Sequence, residues 1–274
     1  MKAWLSNLKI NLKSKFSLKN KNNTRCYKSK SVIKDKKAVL IGLNYPGSYY
    51  ALNGCVNDVK NAGRFLTKRG YDVKALFDKD ITDKYNVLEA LNELKNSPSK
   101  TVFFHYSGHG SQTADLNGDE KDGFDEVVYS KNGVTVTDDD IFKVLQEFPK
   151  DKTVFLVFDC CHSASISDLP YILTNSIENP EKYKNDRHVN ANIICVSGCQ
   201  DYDVSADITD KGVSYGALSS CLFNLLREHE NDLEKITWRK LYIELLYDMV
   251  NKGYTQVPSI SVSDPVLFDA LVDF

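Results

Sequence analysis

Phe155-Leu156-Val157-Phe158-Asp159-Cys160-Cys161-His162-Ser163-Ala164 decides how this chain is read, and it has a counterpart upstream in Phe103-Phe104-His105-Tyr106-Ser107-Gly108-His109-Gly110. Each is an apolar run that breaks off into reactive side chains. A strand buried on both faces of a parallel sheet is apolar without alternation. Ligands collect in the loops at the carboxyl ends of such strands. A cysteine at one end and a glycine-flanked histidine at another supply a soft nucleophile and a general base. Cys161 taken alone would be ordinary core. The tripeptide Gly108-His109-Gly110 argues otherwise: glycines do nothing for a core strand but permit close backbone approach. His105 falls inside its apolar run and is read as core. Zinc is set aside, because four ligands at metal spacing are absent and Cys195 and Cys199 belong to a separate strand.

Outward from these runs, strand and helix patterns alternate. A strand is expected from Lys37, a helix over about 53–69 stopped by Gly70, a strand over 71–77 and a helix over 82–95. A short strand over 126–130 and a helix over 137–148 separate the two reactive strands further. After a polar linker near 172–190 come a strand over 192–196 and helices over 214–230 and 237–251. The expected class is α/β, a mostly parallel central sheet with helices on both faces.

A chain of 274 residues with 42% hydrophobic content can bury one large core or two closely packed lobes. Seven cysteines, an odd number, and no secretory segment point to free thiols in a reducing compartment, expected to be cytoplasmic. The net charge of −2 conceals an asymmetry: residues 1–37 hold twelve Lys or Arg against Asp35, leaving −13 on the remainder. Residues 1–36 lack a core pattern and are expected to be a mobile basic extension. Within it Trp4, Leu5, Leu8, Leu12 and Phe16 recur at helical spacing among lysines, as in a weak surface helix touching anionic membrane. No nucleic-acid partner is expected.

Tyr106-Ser107-Gly108-His109-Gly110-Ser111-Gln112 together with Asp159-Cys160-Cys161-His162-Ser163 resembles the catalytic core of the metacaspases, calcium-dependent cysteine peptidases of the caspase-like clan. The resemblance extends to Leu52-Asn53-Gly54-Cys55-Val56-Asn57-Asp58, Asp168-Leu169-Pro170-Tyr171, Ser197-Gly198-Cys199-Gln200-Asp201, Ser205-Ala206-Asp207, Gly216-Ala217-Leu218 and Gln256-Val257-Pro258. Ala164 departs from it, standing where the family usually has glycine. The resemblance implies a caspase-like three-layer sandwich, monomeric, with a large unit over 37–180 and a small unit over 190–274. The short linker is type I-like, without the usual Pro- or Gln-rich leader. It also implies a self-processing zymogen that cuts after Arg or Lys. Cys161, directly before His162, is the nucleophile rather than Cys160, and His109 is the base. Backbone amides of Gly110 and Cys161 would hold the oxyanion. Cys55, Asp58, Ser107 and Asp159 would line the pocket for the basic side chain, and calcium would sit with Asp125, Asp138, Asp139 and Asp168.

Two readings compete over the acids. The run from Asp115 to Glu126 imitates an EF-hand loop, but Glu120 stands where the sharp turn needs glycine, and strands flank it. Asp138 could equally be the N-cap of the helix that follows. An inactive caspase-like scaffold or a calcium-responsive binding protein would keep the same fold without turnover.

Overall fold

In the computed structural model, Thr101–Ser107 and Thr153–Asp159 run parallel side by side at the centre of an eight-stranded sheet, in register up to Ser107 opposite Asp159. The structure describes residues 35–81, 86–120, 122–174, 180–182, 187–198, 207–210 and 213–274. The amphipathic stretch expected at the amino end lies outside these residues, and Lys36 and Lys37 already belong to the first strand.

In chain order the strands are β1 (Lys36–Gly42), β2 (Asp72–Phe77), β3 (Thr101–Ser107), β4 (Gly110–Ala114), β5 (Phe124–Tyr129), β6 (Thr135–Thr137), β7 (Thr153–Asp159), β8 (Tyr171–Leu173), β9 (Glu181–Lys182), β10 (Asn192–Ser197), β11 (Asp207–Asp210), β12 (Val213–Gly216) and β13 (Ser259–Val262). The helices are α1 (Cys55–Lys68), α2 (Val87–Asn96), α3 (Asp138–Gln146), α4 (Ala217–Glu228) and α5 (Trp238–Asn251). The sheet order is β2-β1-β3-β7-β10-β13-β8-β9. From β2 to β10 every pairing is parallel, and from β10 to β9 every pairing is antiparallel. The sheet is therefore mostly parallel, as expected, with an antiparallel edge that the apolar runs do not announce.

Both faces of the central strands are buried, which explains their unbroken hydrophobicity. Ala38, Leu40, Phe103, Phe155, Val157 and Ile194 pack against α1, α4 and α5. Val39, Ile41, Phe104, Leu156, Phe158 and Ile193 pack against α2 and α3. Each of these side chains larger than Ala38 contributes about 1.5–3 kcal/mol of burial. A one-residue slip would exchange one apolar face for the other, so burial alone fixes register weakly here. The polar groups at the strand ends supply the missing anchor. His105 reaches Ser219, Ser107 reaches Asp58 (2.8 Å), and Asp159 accepts the Ser219 amide (2.8 Å).

Local signals set the helix ends. α1 stops where the amides of Gly70 and Tyr71 return to the carbonyls of Thr67 and Leu66. α2 begins at Val87, later than the pattern predicts, because the Asn86 side chain caps the Leu88 amide. Thr137, not Asp138, caps α3, accepting from the Asp140 amide. A second sheet, β4-β5-β6, starts one residue after His109, and β11 pairs with β12 as a hairpin.

Candidate active site

His109 and Cys161 leave the sheet from adjacent strands, each two residues past the Ser107–Asp159 pair. The Gly108 amide still donates to the Asp159 carbonyl (3.3 Å), so the two loops start out zipped together. Their contact continues at Gly110, where a Cβ would lie 2.2 Å from the Cys161 carbonyl oxygen and 3.1 Å from Cys160 Sγ. Only a bare backbone fits, and that bareness sets the His109 loop directly against the Cys161 loop. Cys160 is fully buried and Cys161 is partly exposed, so the second cysteine is the one presented to solvent. The chain turns immediately afterwards, with His162 in the left-handed region at φ +48°. Ala164 is buried behind this turn.

A cluster of tyrosines holds His109. Its amide donates to Tyr45 Oη (3.2 Å), and its carbonyl accepts from Tyr106 Oη (2.8 Å) and from the Tyr129 amide (3.0 Å). The Tyr45 ring lies 4.9 Å from the imidazole, tilted by 34°. Burial pushes the Tyr45 and Tyr106 phenols upward, so both stay protonated donors. His109 Nε2 lies 2.7 Å from the Tyr50 carbonyl oxygen. A carbonyl can only accept, so Nε2 carries the proton and Nδ1 is left as the acceptor. Sequence patterns could not have found Tyr50, because its contribution is a backbone oxygen. A cavity of about 480 Å³ opens beside the imidazole, lined by Tyr45, Tyr50, His109, Ser111 and Tyr129. His105, by contrast, is fully buried with Nε2 3.0 Å from Ser219 Oγ, and desolvation lowers it to about 3. It is core, as its place in the strand predicts.

Asp58, Ser107 and Asp159 meet at the amino end of α4. Asp58 is 0% and Asp159 is 3% exposed. Ser107 Oγ donates to Asp58 Oδ2, the Gly216 amide donates to both Asp58 oxygens (3.0 Å), and the Ser219 amide donates to Asp159 Oδ2. A helix amino terminus favours negative charge, which stabilises carboxylates here. Gly216 lies between them, since a Cβ there would be 2.2 Å from Asp159 Oδ2 and 3.0 Å from Asp58 Oδ2. Cys55 is buried one turn ahead of Asp58 on α1.

The acids expected to bind calcium are spread over neighbouring clusters. Among the described residues, carboxylate oxygens gather within 4.8 Å of one another in three sets: Asp115, Asp119 and Asp125; Asp119, Asp139 and Asp168; and Glu120, Glu126 and Asp138. The EF-hand-like run is a loop between β4 and β5, and Asp115 closes it by accepting the amides of Asn117, Gly118 and Glu120. Asp138 is buried and accepts the amides of Glu126 and Asp139. Burial, and then the charge of Asp168, push it up to about 7. Asp125 is also raised, by burial first and by its acidic neighbours next. Asp168 projects from a left-handed residue, φ +52°, a strained backbone of the kind that concentrates at functional sites. One cation is already there: Arg187 Nη2 lies 2.9 Å from Asp139 Oδ1, 2.9 Å from Asp168 Oδ2, and also bonds Asp119. Clustered hard oxygen donors are of the kind a divalent cation such as calcium takes, and here the Arg187 guanidinium sits among them. Asp119 is the position-five oxygen of the EF-hand-like run; it joins this cluster instead, without that motif's geometry.

The described cysteines, 55, 160, 161, 195 and 221, are free thiols. Among the described residues no helix is long and apolar enough to cross a membrane.

The family model described as Caspase domain matches residues 35–267. Metacaspase-1 of Cryptococcus neoformans is 32% identical over 295 aligned residues, covering 84% of this chain and 63% of that protein. Metacaspase-1 of Kluyveromyces lactis is 31% identical, covering 89% of this chain and 70% of its own. The chain thus spans about two thirds of the length of these relatives. Among solved structures, the Drosophila initiator caspase Dronc superposes with a TM-score of 0.57 at 12% identity, over 88% of this chain and 83% of that one. That likeness is one of fold.

Proposed function

The chain belongs to the caspase-domain family, with the metacaspases as its relatives, and on that footing we propose that it is a calcium-dependent cysteine endopeptidase cutting after Arg or Lys. The observation that carries the reading is the pair of buried carboxylates, Asp58 and Asp159, gathered beside the His109 and Cys161 loops. Negative charge at this depth matches a guanidinium or ammonium and rejects a carboxylate.

In this mechanism His109 Nδ1 takes the proton from Cys161 Sγ, and the thiolate attacks the scissile carbonyl carbon. The amides of Gly110 and Cys161 receive the developing oxyanion. The imidazolium then gives its proton to the leaving amine, and a thioester remains on Cys161. Water, deprotonated by the same imidazole, releases the acid and restores the thiol. The Tyr50 carbonyl keeps Nε2–H engaged, which leaves Nδ1 as the nitrogen that exchanges the proton in this mechanism.

Of the four expected acids, Asp139 and Asp168 gather with Asp119 and would hold calcium there, with Asp125 and Asp138 in the adjoining clusters; the ion when bound would supply positive charge to a site of crowded carboxylates. Self-processing would fall in the segment that joins a large unit, 37–180, to a small one, 190–274. Lys182 is exposed there on β9, and Lys184 lies outside the described residues. Arg187 is held by its acidic partners rather than offered to solvent.

Hydrolysis of fluorogenic peptides ending in Arg or Lys, with calcium and with chelator, tests this directly. Cys161→Ala should be inactive and Cys160→Ala largely active. Undiminished activity in chelator refutes the calcium dependence, and preference for Asp refutes the pocket.

A further inference from the structure

Arg187 is a cation attached to the chain, and it occupies oxygens that the calcium reading needs. Its Nη2 contacts Asp139 Oδ1 and Asp168 Oδ2 at 2.9 Å each and also bonds Asp119. The guanidinium carbon lies 4.6 Å from the centroid of the Phe142 ring, so the group is stacked as well as paired. Its side chain is 19% exposed. The three carboxylate oxygens lie within 4.8 Å of one another, a spacing that one positive centre fills. A divalent ion and a guanidinium cannot share these lone pairs, and their like charges repel at contact distance.

We propose that this cluster is an exchange seat with two mutually exclusive occupants, the Arg187 guanidinium without calcium and the ion with it. The inference rests on the calcium reading given above. A tethered competitor lowers apparent affinity by the fraction of time the seat is filled. Arrival of the ion ejects Arg187 from its acidic partners and from Phe142. An arginine at the carboxyl end of the 180–187 segment then becomes available to solvent, and it is a residue of the class this active site is read to cut after. The ion would therefore expose a cleavage position as well as enable cleavage.

Cys161→Ala, which cannot cut itself, is the chain to use. Calorimetric titration with calcium is compared between Cys161→Ala and the double variant Cys161→Ala, Arg187→Gln. The double variant should bind about fivefold or more tightly, and Arg187→Lys, with charge but no fork, should fall between. Equal affinities overturn the exchange while leaving the calcium site standing. No binding in either chain overturns the calcium reading and the exchange together, and leaves the Asp58–Asp159 pocket untouched. The second readout is limited digestion with trypsin, followed by mass spectrometry. The bond after Arg187 should resist trypsin in chelator and be cut in calcium. Cleavage at equal rates in the two conditions overturns the proposal.

Discussion

Two groups of carboxylates, one at the start of α4 and one where the β4–β5 loop meets the start of α3, are wired in opposite ways. Asp58 and Asp159 are held by a serine hydroxyl and by the amides of Gly216 and Ser219. Asp119, Asp139 and Asp168 are held by a guanidinium. Neutral donors orient a carboxylate and leave its charge for a third party, whereas a cation both orients and neutralises it. The first wiring suits a pocket that must stay negative until a substrate arrives. The second suits a seat whose occupant can be exchanged.

The sharpest way to break the comparison is Gly216→Ala. A methyl 2.2 Å from Asp159 Oδ2 must push the carboxylate or the backbone aside. Overpacking of this kind costs about 1–3 kcal/mol, and the displaced acid no longer meets the substrate. Cleavage of basic peptides should fall below detection, with a lowered melting temperature; normal turnover would mean that Gly216 does not separate the two acids.

Next comes the same neutralising change made in each group. Asp58→Asn weakens charge-assisted bonds worth about 1.5–3 kcal/mol and should reduce kcat/KM for basic peptides about 10–100-fold. Its calcium midpoint should not move. Asp139→Asn should shift the calcium midpoint and keep the preference for Arg or Lys. If both variants changed the same parameter, the two groups would be one functional unit.

The smallest effect lies beneath the pocket. His105, held on Ser219, ionises at about 3 when folded against about 6.5 for an unperturbed imidazole. Between those values the unfolded chain takes up a proton that the folded chain refuses, so stability falls as pH drops through that window. The slope is at most about 1.4 kcal/mol per pH unit. His105→Gln should flatten the loss seen in urea midpoints between pH 7 and 5; an unchanged slope would assign the acid sensitivity to other groups.

What the sequence announces is what depends on period and on neighbours. The runs at 103–107 and 153–159 are legible because both faces are buried, and Gly70 ends α1 where the pattern places it. β13 and β8 are not legible. Ser259 and Ser261 sit inside the sheet because they bond Ser197 and Ser167, partners far away in the chain. The same limit applies at the site. Asp58, Ser107, His109, Asp159 and Cys161 belong to quotable motifs. The Tyr50 carbonyl has no side-chain signature, and Arg187 looks like one more charge in a polar linker. Asp119 belongs to a run whose spacing imitates a different metal loop, so its pattern points to the wrong partners.

The strand order has a consequence for what a cut chain would be. Any break between β9 and β10 leaves β7 and β8 on one piece and β10 and β13 on the other. Yet β10 is bonded to β7 and β13 is bonded to β8, so the later piece is dovetailed between two strands of the earlier one. Nicking would leave a single particle on a sizing column and two bands only after denaturation. Its pieces could part only by tearing two rows of backbone hydrogen bonds at once.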